Sequence, residues 1–112
     1  MDRRRFETLV ARAIDDVPPP FAAALDEVAV VVESRAPAGD PDLYGLYEGV
    51  PLDEPWAAPG ALPARIVVFM HPLIDDCSSD EEVVEEVRIT VLHELGHHLG
   101  MGEEQLDDLG YG

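Results

Sequence analysis

The stretch His93-Glu94-Leu95-Gly96-His97 combines residue types and a spacing that suit metal-assisted hydrolysis. Residues four apart in a helix lie on one face, one turn from each other, so His93 and His97 are placed to present two imidazole nitrogens to a single metal ion. Glu94 lies beside them, where its carboxylate is placed to hold and deprotonate a water molecule. This H-E-x-x-H pattern predicts the inner part of a catalytic zinc site.

Two further residues extend the pattern and supply a third candidate ligand. Gly100 stands three residues after His97, and Glu103 stands three residues after Gly100. Because glycine readily adopts the left-handed conformation that ends a helix, the chain is expected to turn there and return Glu103 beneath the histidines. Three protein ligands leave the fourth tetrahedral position for water. Glu104 is the alternative third ligand, but the spacing favours Glu103.

These residues need a rigid platform, and the sequence predicts one long helix from about residue 80 to residue 99. Ser79 and Glu82 are spaced as a capping box, and the acidic residues of the first turn complement the helix dipole. An apolar stripe with helical periodicity consists of Val84, Val87, Val91, Leu95 and Leu99. Both histidines flank this stripe, so we expect the metal at the edge of the core.

The remaining elements are predicted from the same kinds of pattern. Arg3 to Asp16 has helical apolar spacing and is followed by three prolines, and Phe21 to Leu25 suggests a short helical turn. The β-branched runs Val28–Glu33 and Ala64–Met70 predict strands. The near-continuous apolarity of Val28–Glu33 favours burial on both faces. Glu104 to Leu109 is expected to form a last short helix.

Residues 34–64 are rich in Pro, Gly and Asp and predict a long loop, which either connects loosely or lines a substrate site. A short strand is expected within it at Tyr44–Gly49, and Trp56 is a candidate cap on the core. His71, just before Pro72, is interpreted as a loop residue that ends the preceding strand rather than as a metal ligand.

Composition limits the classes of protein and partner. The 112 residues are enough for one domain, residues 1–112, and they carry a formal net charge of -17. Such a surface repels nucleic acid and anionic membranes, so neither is an expected partner. There is no long apolar run and no apolar signal core after the N-terminal arginines. The single cysteine, Cys77, fits a reducing cytoplasm and is interpreted as structural.

With these residues in view, the chain resembles the small bacterial zincin-like metallopeptidases, sometimes called minimal metalloproteases. The resemblance covers the N-terminal helix and the segments Val28–Glu33, Leu43–Gly49, Arg65–Met70 and His93–Gly100. It implies an α+β fold in which a small mixed sheet packs on an active-site helix, with an N-terminal helix and a short C-terminal helix. It also implies His93 and His97 as zinc ligands and Glu94 as general base, and Glu103 matches the acid that follows the glycine in that family.

The predicted function is therefore zinc-dependent hydrolysis of peptide bonds in a peptide or protein substrate. The alternative is a zinc-binding regulatory or interaction domain with a vestigial site, suggested by the small size of the chain. A calcium-binding module is disfavoured because no Asp-x-Asp-x-Asp-Gly pattern is present.

The sequence does not decide which side chain donates the hydrogen bond that would polarise the substrate carbonyl. The candidates are Tyr47, Tyr111, His98 and Arg65. His98 points about 100° away from His97 on the helix and is interpreted first as a packing residue.

Overall fold

Helices from both ends of the chain pack around three short strands in the computed structural model, which describes residues 1–19, 21–37, 39–49 and 64–111. The helices are α1 (Arg3–Asp15), α2 (Phe21–Ala24), α3 (Met70–Asp76), α4 (Asp80–His98) and α5 (Glu103–Asp108). The strands are β1 (Val28–Glu33), β2 (Gly45–Glu48) and β3 (Ala64–Phe69). The predicted α+β class is confirmed, and so are all three predicted strands.

The sheet is small and mixed, with β3 at its centre in the order β1-β3-β2. β3 pairs in parallel with β1, from Val28 opposite Ala64 onward, and antiparallel with β2, where Gly45 lies opposite Val68. The prediction that β1 is buried on both faces is wrong, because only Val32 in that strand is buried. Burial on both faces belongs instead to the central strand β3, in which Ile66 and Val68 on one face and Val67 and Phe69 on the other are buried.

α4 forms the predicted platform and begins at the predicted cap. The Ser79 hydroxyl oxygen accepts a hydrogen bond of 3.2 Å from the Glu82 backbone N–H, and the Glu82 carboxylate accepts one of 2.8 Å from the Ser78 N–H. The first bond satisfies one of the backbone N–H groups that a helix start leaves without partners, and the second ties the residue before the cap to the helix. The first turn also contains three acidic residues that complement the helix dipole.

The core is one cluster of buried apolar side chains, in which α1 and the inner face of the sheet meet α4. From α4 it includes Val83, Val87, Val91, Leu92 and Leu95. The predicted burial is therefore confirmed for Val87, Val91 and Leu95, in the middle of the stripe. Val84 and Leu99, which the stripe predicts to be buried, are only partly covered by the core.

One predicted loop is a helix in the structure. His71 and Pro72 lie in the first turn of α3, so the expectation that His71 belongs to a loop is wrong. A proline is compatible with a first helical turn, because the N–H that it lacks has no intrahelical partner there. The His71 N–H donates to the Ser34 carbonyl over 3.0 Å, which ties α3 to the end of β1. The suggested role of Trp56 lies outside the described residues.

Across the described ranges, no helix combines the length and the apolar character that crossing a membrane would require.

Candidate metal centre

α4 brings His93, Glu94 and His97 together near its C-terminal end. One nitrogen or carboxylate oxygen from each of the three lies within 4.8 Å of the others. The two imidazole rings meet edge to face, with centroids 4.6 Å apart. This is the geometry expected of helical residues three and four apart. The structure thus places the three predicted side chains in one cluster.

The chain turns sharply directly after α4, at the predicted glycine. Gly100 has a φ of +86°, in the left-handed region. Its N–H donates to the His97 carbonyl over 3.0 Å, and the Met101 N–H donates to the Gly96 carbonyl over 2.8 Å. This pair of bonds is a Schellman motif, which satisfies carbonyls that the helix end leaves open. The turn leads into α5, which begins at Glu103.

Glu103 returns to the two histidines, as its spacing predicts. Its carboxylate oxygen Oε1 lies 2.8 Å from His97 Nε2 and 3.3 Å from His93 Nε2. The hydrogen bond from His97 lowers the pKa of the Glu103 carboxyl, and the charges of both rings add to the effect. Glu104 is exposed, and its side chain makes no hydrogen bond or ion pair with the described residues. Of the two candidate acids, Glu103 is the one that lies at the histidines.

Gly96, an unassigned position of the pentad, allows α5 to pack closely against α4. A Cβ atom at Gly96 would overlap Leu106 Cδ2 and would lie 3.2 Å from both Cδ1 and Cγ of that side chain. Leu106 is fully buried, so it has little room to move away. The glycine therefore fixes the distance between the two helices and, with it, the position of Glu103.

Glu94 occupies a buried position between His97 and β2. Its residue is 8 % exposed, and its Oε1 atom lies 3.2 Å from His97 Nδ1. On the other side, β2 approaches through Gly45, where a Cβ atom would lie 3.8 Å from Glu94 Cγ and 2.5 Å from Thr90 Cγ2. Only a residue without a side chain permits this close approach.

The atoms of this cluster fit a zinc ion. Zinc bonds of about 2.0–2.1 Å in a tetrahedron place neighbouring ligand atoms about 3.3 Å apart, close to the observed separations. The arrangement of the side chains also suits a cation, because both nitrogens of His97 face carboxylate oxygens. His93, His97 and Glu103 are the residues that would hold the ion.

A cleft of about 330 Å³ opens beside the cluster, between α4 and the start of β2. Tyr44 and Gly45 form its strand side, His93 and Glu94 form its helical side, and Tyr111 contributes from beyond α5. The Tyr44 hydroxyl bonds to the Asp76 carboxylate, which raises the pKa of Tyr44 to about 12. That bond connects the strand side of the cleft to α3.

Three of the four candidate carbonyl-polarising side chains are engaged elsewhere. Tyr47 and His98 form a hydrogen bond of 2.8 Å with each other, and Arg65 pairs with Glu48 at 2.9 Å. His98 is 3 % exposed, in agreement with its interpretation as a packing residue. Tyr111 is the candidate that lines the cleft.

Cys77 ends α3, and its interpretation as structural is consistent with its surroundings. Burial raises the pKa of its thiol, and neighbouring carboxylates add to the shift. A thiol with a raised pKa is a poor nucleophile and a poor metal ligand at neutral pH. Among the described residues, neither Cys77 nor His71 belongs to the metal-ligand cluster, the group formed by His93, Glu94 and His97.

One polar contact of the cluster was missed by the sequence-based predictions. His93 Nδ1 lies 2.7 Å from the backbone carbonyl oxygen of Tyr111, eighteen residues later. The available signal was the repeat of Leu99-Gly100-Met101 as Leu109-Gly110-Tyr111, which indicates a second helix end of the same kind.

Comparisons with known proteins agree with this geometry. A conserved hypothetical protein from Thermus thermophilus has a similar solved structure, with a TM-score of 0.59 and 27% sequence identity over 96% of this chain and 99% of that one. No curated protein matches the sequence. A sequence model of the zincin-like metallopeptidases matches residues 25–112, which include both walls of the cleft and the whole metal-ligand cluster. The chain belongs to the zincin-like metallopeptidase family, and its small mixed sheet with a long α4 is a zincin-like fold.

Proposed function

We propose that this protein is a zinc-dependent peptidase in which His93, His97 and Glu103 hold the ion and Glu94 is the general base. The observation that carries the proposal is the convergence of both histidine Nε2 atoms on Glu103 Oε1, at 2.8 and 3.3 Å, with the Glu94 carboxylate beside them. Three ligands from the chain leave one tetrahedral position for chemistry, as catalytic zinc sites require.

A zinc ion in this position supplies Lewis acidity, which polarises a carbonyl group and acidifies water. The protein supplies the proton transfers. Glu94 Oε1 accepts a proton from the attacking water and delivers it to the nitrogen of the departing amine. The buried surroundings of Glu94 limit competing solvent and fix the direction of the carboxylate. A site with a purely structural ion has no use for such a base, so Glu94 favours catalysis over the regulatory alternative.

The substrate that fits this site is an extended peptide or protein segment. β2 is an edge strand whose start lines the cleft next to Glu94. A peptide can add to such an edge through main-chain hydrogen bonds, which places a peptide carbonyl at the metal-ligand cluster. The net charge of -17 opposes nucleic acid and favours the approach of positively charged peptides.

The test compares Glu94→Gln with Glu104→Gln for zinc content and for hydrolysis of a broad peptide library. Wild type and both variants are expected to bind zinc. Hydrolysis is expected to fall by at least about 100-fold in Glu94→Gln, because general-base catalysis contributes about 10²–10⁴-fold. Glu104→Gln, a charge-matched change on α5, is expected to keep wild-type activity.

Zinc binding by all three proteins without hydrolysis by wild type would overturn the peptidase proposal and favour the regulatory alternative. Wild type that binds no zinc would overturn both.

A further inference from the structure

We propose that the backbone carbonyl of Tyr111 selects the tautomer of His93 that binds zinc, and that the turn Leu109–Tyr111 is therefore a positioning element of the metal site. This inference rests on the proposed function, which assigns His93 as a ligand. The turn supplies no ligand of its own. It acts through the imidazole of His93.

The hydrogen bond defines the position of the proton. A neutral imidazole has one N–H and one lone pair, whereas a backbone carbonyl oxygen is only an acceptor. Both nitrogens of His93 face acceptors: Nδ1 lies 2.7 Å from the Tyr111 oxygen, and Nε2 lies 3.3 Å from Glu103 Oε1. The shorter contact favours the proton on Nδ1, which leaves the lone pair on Nε2. The carbonyl thus leaves the ligand atom of His93 ready for a metal ion.

The chain holds this carbonyl by a second Schellman motif, at the end of α5. Gly110 has a φ of +86°, and its N–H donates to the Asp107 carbonyl over 3.0 Å. The Tyr111 N–H donates to the Leu106 carbonyl over 2.9 Å. These bonds fix the peptide plane between Gly110 and Tyr111, and so the position of the Tyr111 backbone that carries the carbonyl.

Side-chain packing anchors the same turn to the rest of the protein. The Tyr111 ring meets the buried Phe21 ring edge to face, with centroids 5.6 Å apart and planes at 86°. Leu106 packs against Gly96 within α4. The segment from Glu103 to Tyr111 is therefore held at its middle and at its end, and it contributes both a carboxylate and an orienting carbonyl to the site.

The two histidines differ in how they are oriented. His97 Nδ1 faces the carboxylate of Glu94, the group that exchanges protons in the proposed reaction. His93 Nδ1 faces a carbonyl that holds no proton at any step. His93 therefore has an orienting partner that takes no part in the proposed proton transfers.

The test measures the ¹⁵N imidazole shifts of His93 in the metal-free protein. It also measures the zinc dissociation constant by competition with a chelator. One variant is Gly110→Ala, which opposes the left-handed turn. A second replaces the Tyr111–Gly112 peptide bond by an ester, which keeps the shape but makes the Tyr111 carbonyl a weaker acceptor. Gly39→Ala is the matched control, since Gly39 also has a positive φ, +111°, with open space around it.

Wild type and Gly39→Ala are expected to show His93 protonated at Nδ1. Both other variants are expected to shift the proton toward Nε2 and to bind zinc about 10-fold more weakly, the usual scale for loss of a partner behind a ligand. A merely structural role of the turn would not move the tautomer of His93 in the ester variant.

An ester variant with unchanged His93 shifts, or with unchanged zinc affinity, would overturn the inference. Because the shifts are read without metal, a wild type that binds no zinc would refute the proposed function separately, and would leave the tautomer result intact.

Discussion

The two walls of the cleft are assembled in different ways. The helical wall, α4 with α5, brings together residues that are close in the chain, such as His93 and Glu103. The strand wall, Leu43 to Gly45, comes from far earlier in the sequence and meets α4 at Thr90 and Glu94. The first wall is set by helix geometry and two glycine turns, whereas the second is set by tertiary packing alone.

Because of this difference, we expect the metal affinity and the turnover of the proposed enzyme to depend on different walls. All three proposed zinc ligands belong to the helical wall, so changes there are expected to alter metal affinity. The strand wall contacts the general base and forms the edge that a peptide would join. Changes there are expected to alter turnover while metal affinity stays the same.

The largest effect is expected from Glu103→Gln, which removes an anionic ligand from the helical wall. Zinc affinity should fall by more than about 100-fold, since catalytic zinc sites depend on each of their three protein ligands. Glu104→Gln, one residue later on α5, should keep wild-type affinity. Competition with a chelator measures both. Equal affinities of the two variants would contradict the assignment of Glu103.

A smaller effect is expected from Gly96→Ala, which leaves every ligand in place. The added Cβ overlaps buried Leu106, and overpacking costs about 1–3 kcal/mol, more than the gain of about 1 kcal/mol in helix propensity. Thermal unfolding should therefore shift to lower temperature, and zinc should bind about 10-fold more weakly as Glu103 moves.

Gly102→Ala is the control for Gly96→Ala, because a Cβ at Gly102 meets open space. It should lower stability by about 1 kcal/mol at most, because alanine is a poorer N-cap of α5 than glycine, and it should leave zinc affinity at the wild-type value. A Gly96→Ala protein that is more stable than wild type and binds zinc equally well would show that α5 docks independently of this contact.

The sequence predicted the helical wall well because its signals are local. The cap at Ser79, the pentad and the turn at Gly100 each depend on residues within a few positions of one another. The return of Glu103 to the histidines follows from that turn.

The strand order, the start of α3 and the docking of α5 could not be predicted from local patterns, because they depend on which elements become neighbours. The apolar run of β1 suggests a central strand, but the strand order makes it an edge. His71-Pro72 suggests the end of a strand followed by a loop, although a proline also suits the first turn of α3. The partner of Gly96 and the carbonyl behind His93 both lie in or after α5, whose docking no periodicity specifies.

The smallest effect is expected in the strand wall, from Gly45→Ala. Its Cβ would lie 2.5 Å from Thr90 Cγ2, so β2 must move away from α4 and from Glu94. Peptide hydrolysis should fall several-fold through kcat/KM, a modest loss of transition-state stabilisation, while the zinc dissociation constant stays at the wild-type value. Leu46→Ala, an exposed position on the same strand, is the control. A loss of zinc affinity in Gly45→Ala would show that the two walls are not separable.

Gly96 also has a consequence for how fast the metal exchanges. A glycine inside a helix costs about 1 kcal/mol relative to alanine, so the last turn of α4 depends on the packing of Leu106 more than the turns around Val87 do. That turn carries His97. Separation of α5 from α4 would free this proposed ligand while the core remains folded. The exchange rate of a zinc ion is therefore expected to follow the docking of α5 on α4, and not unfolding of the protein.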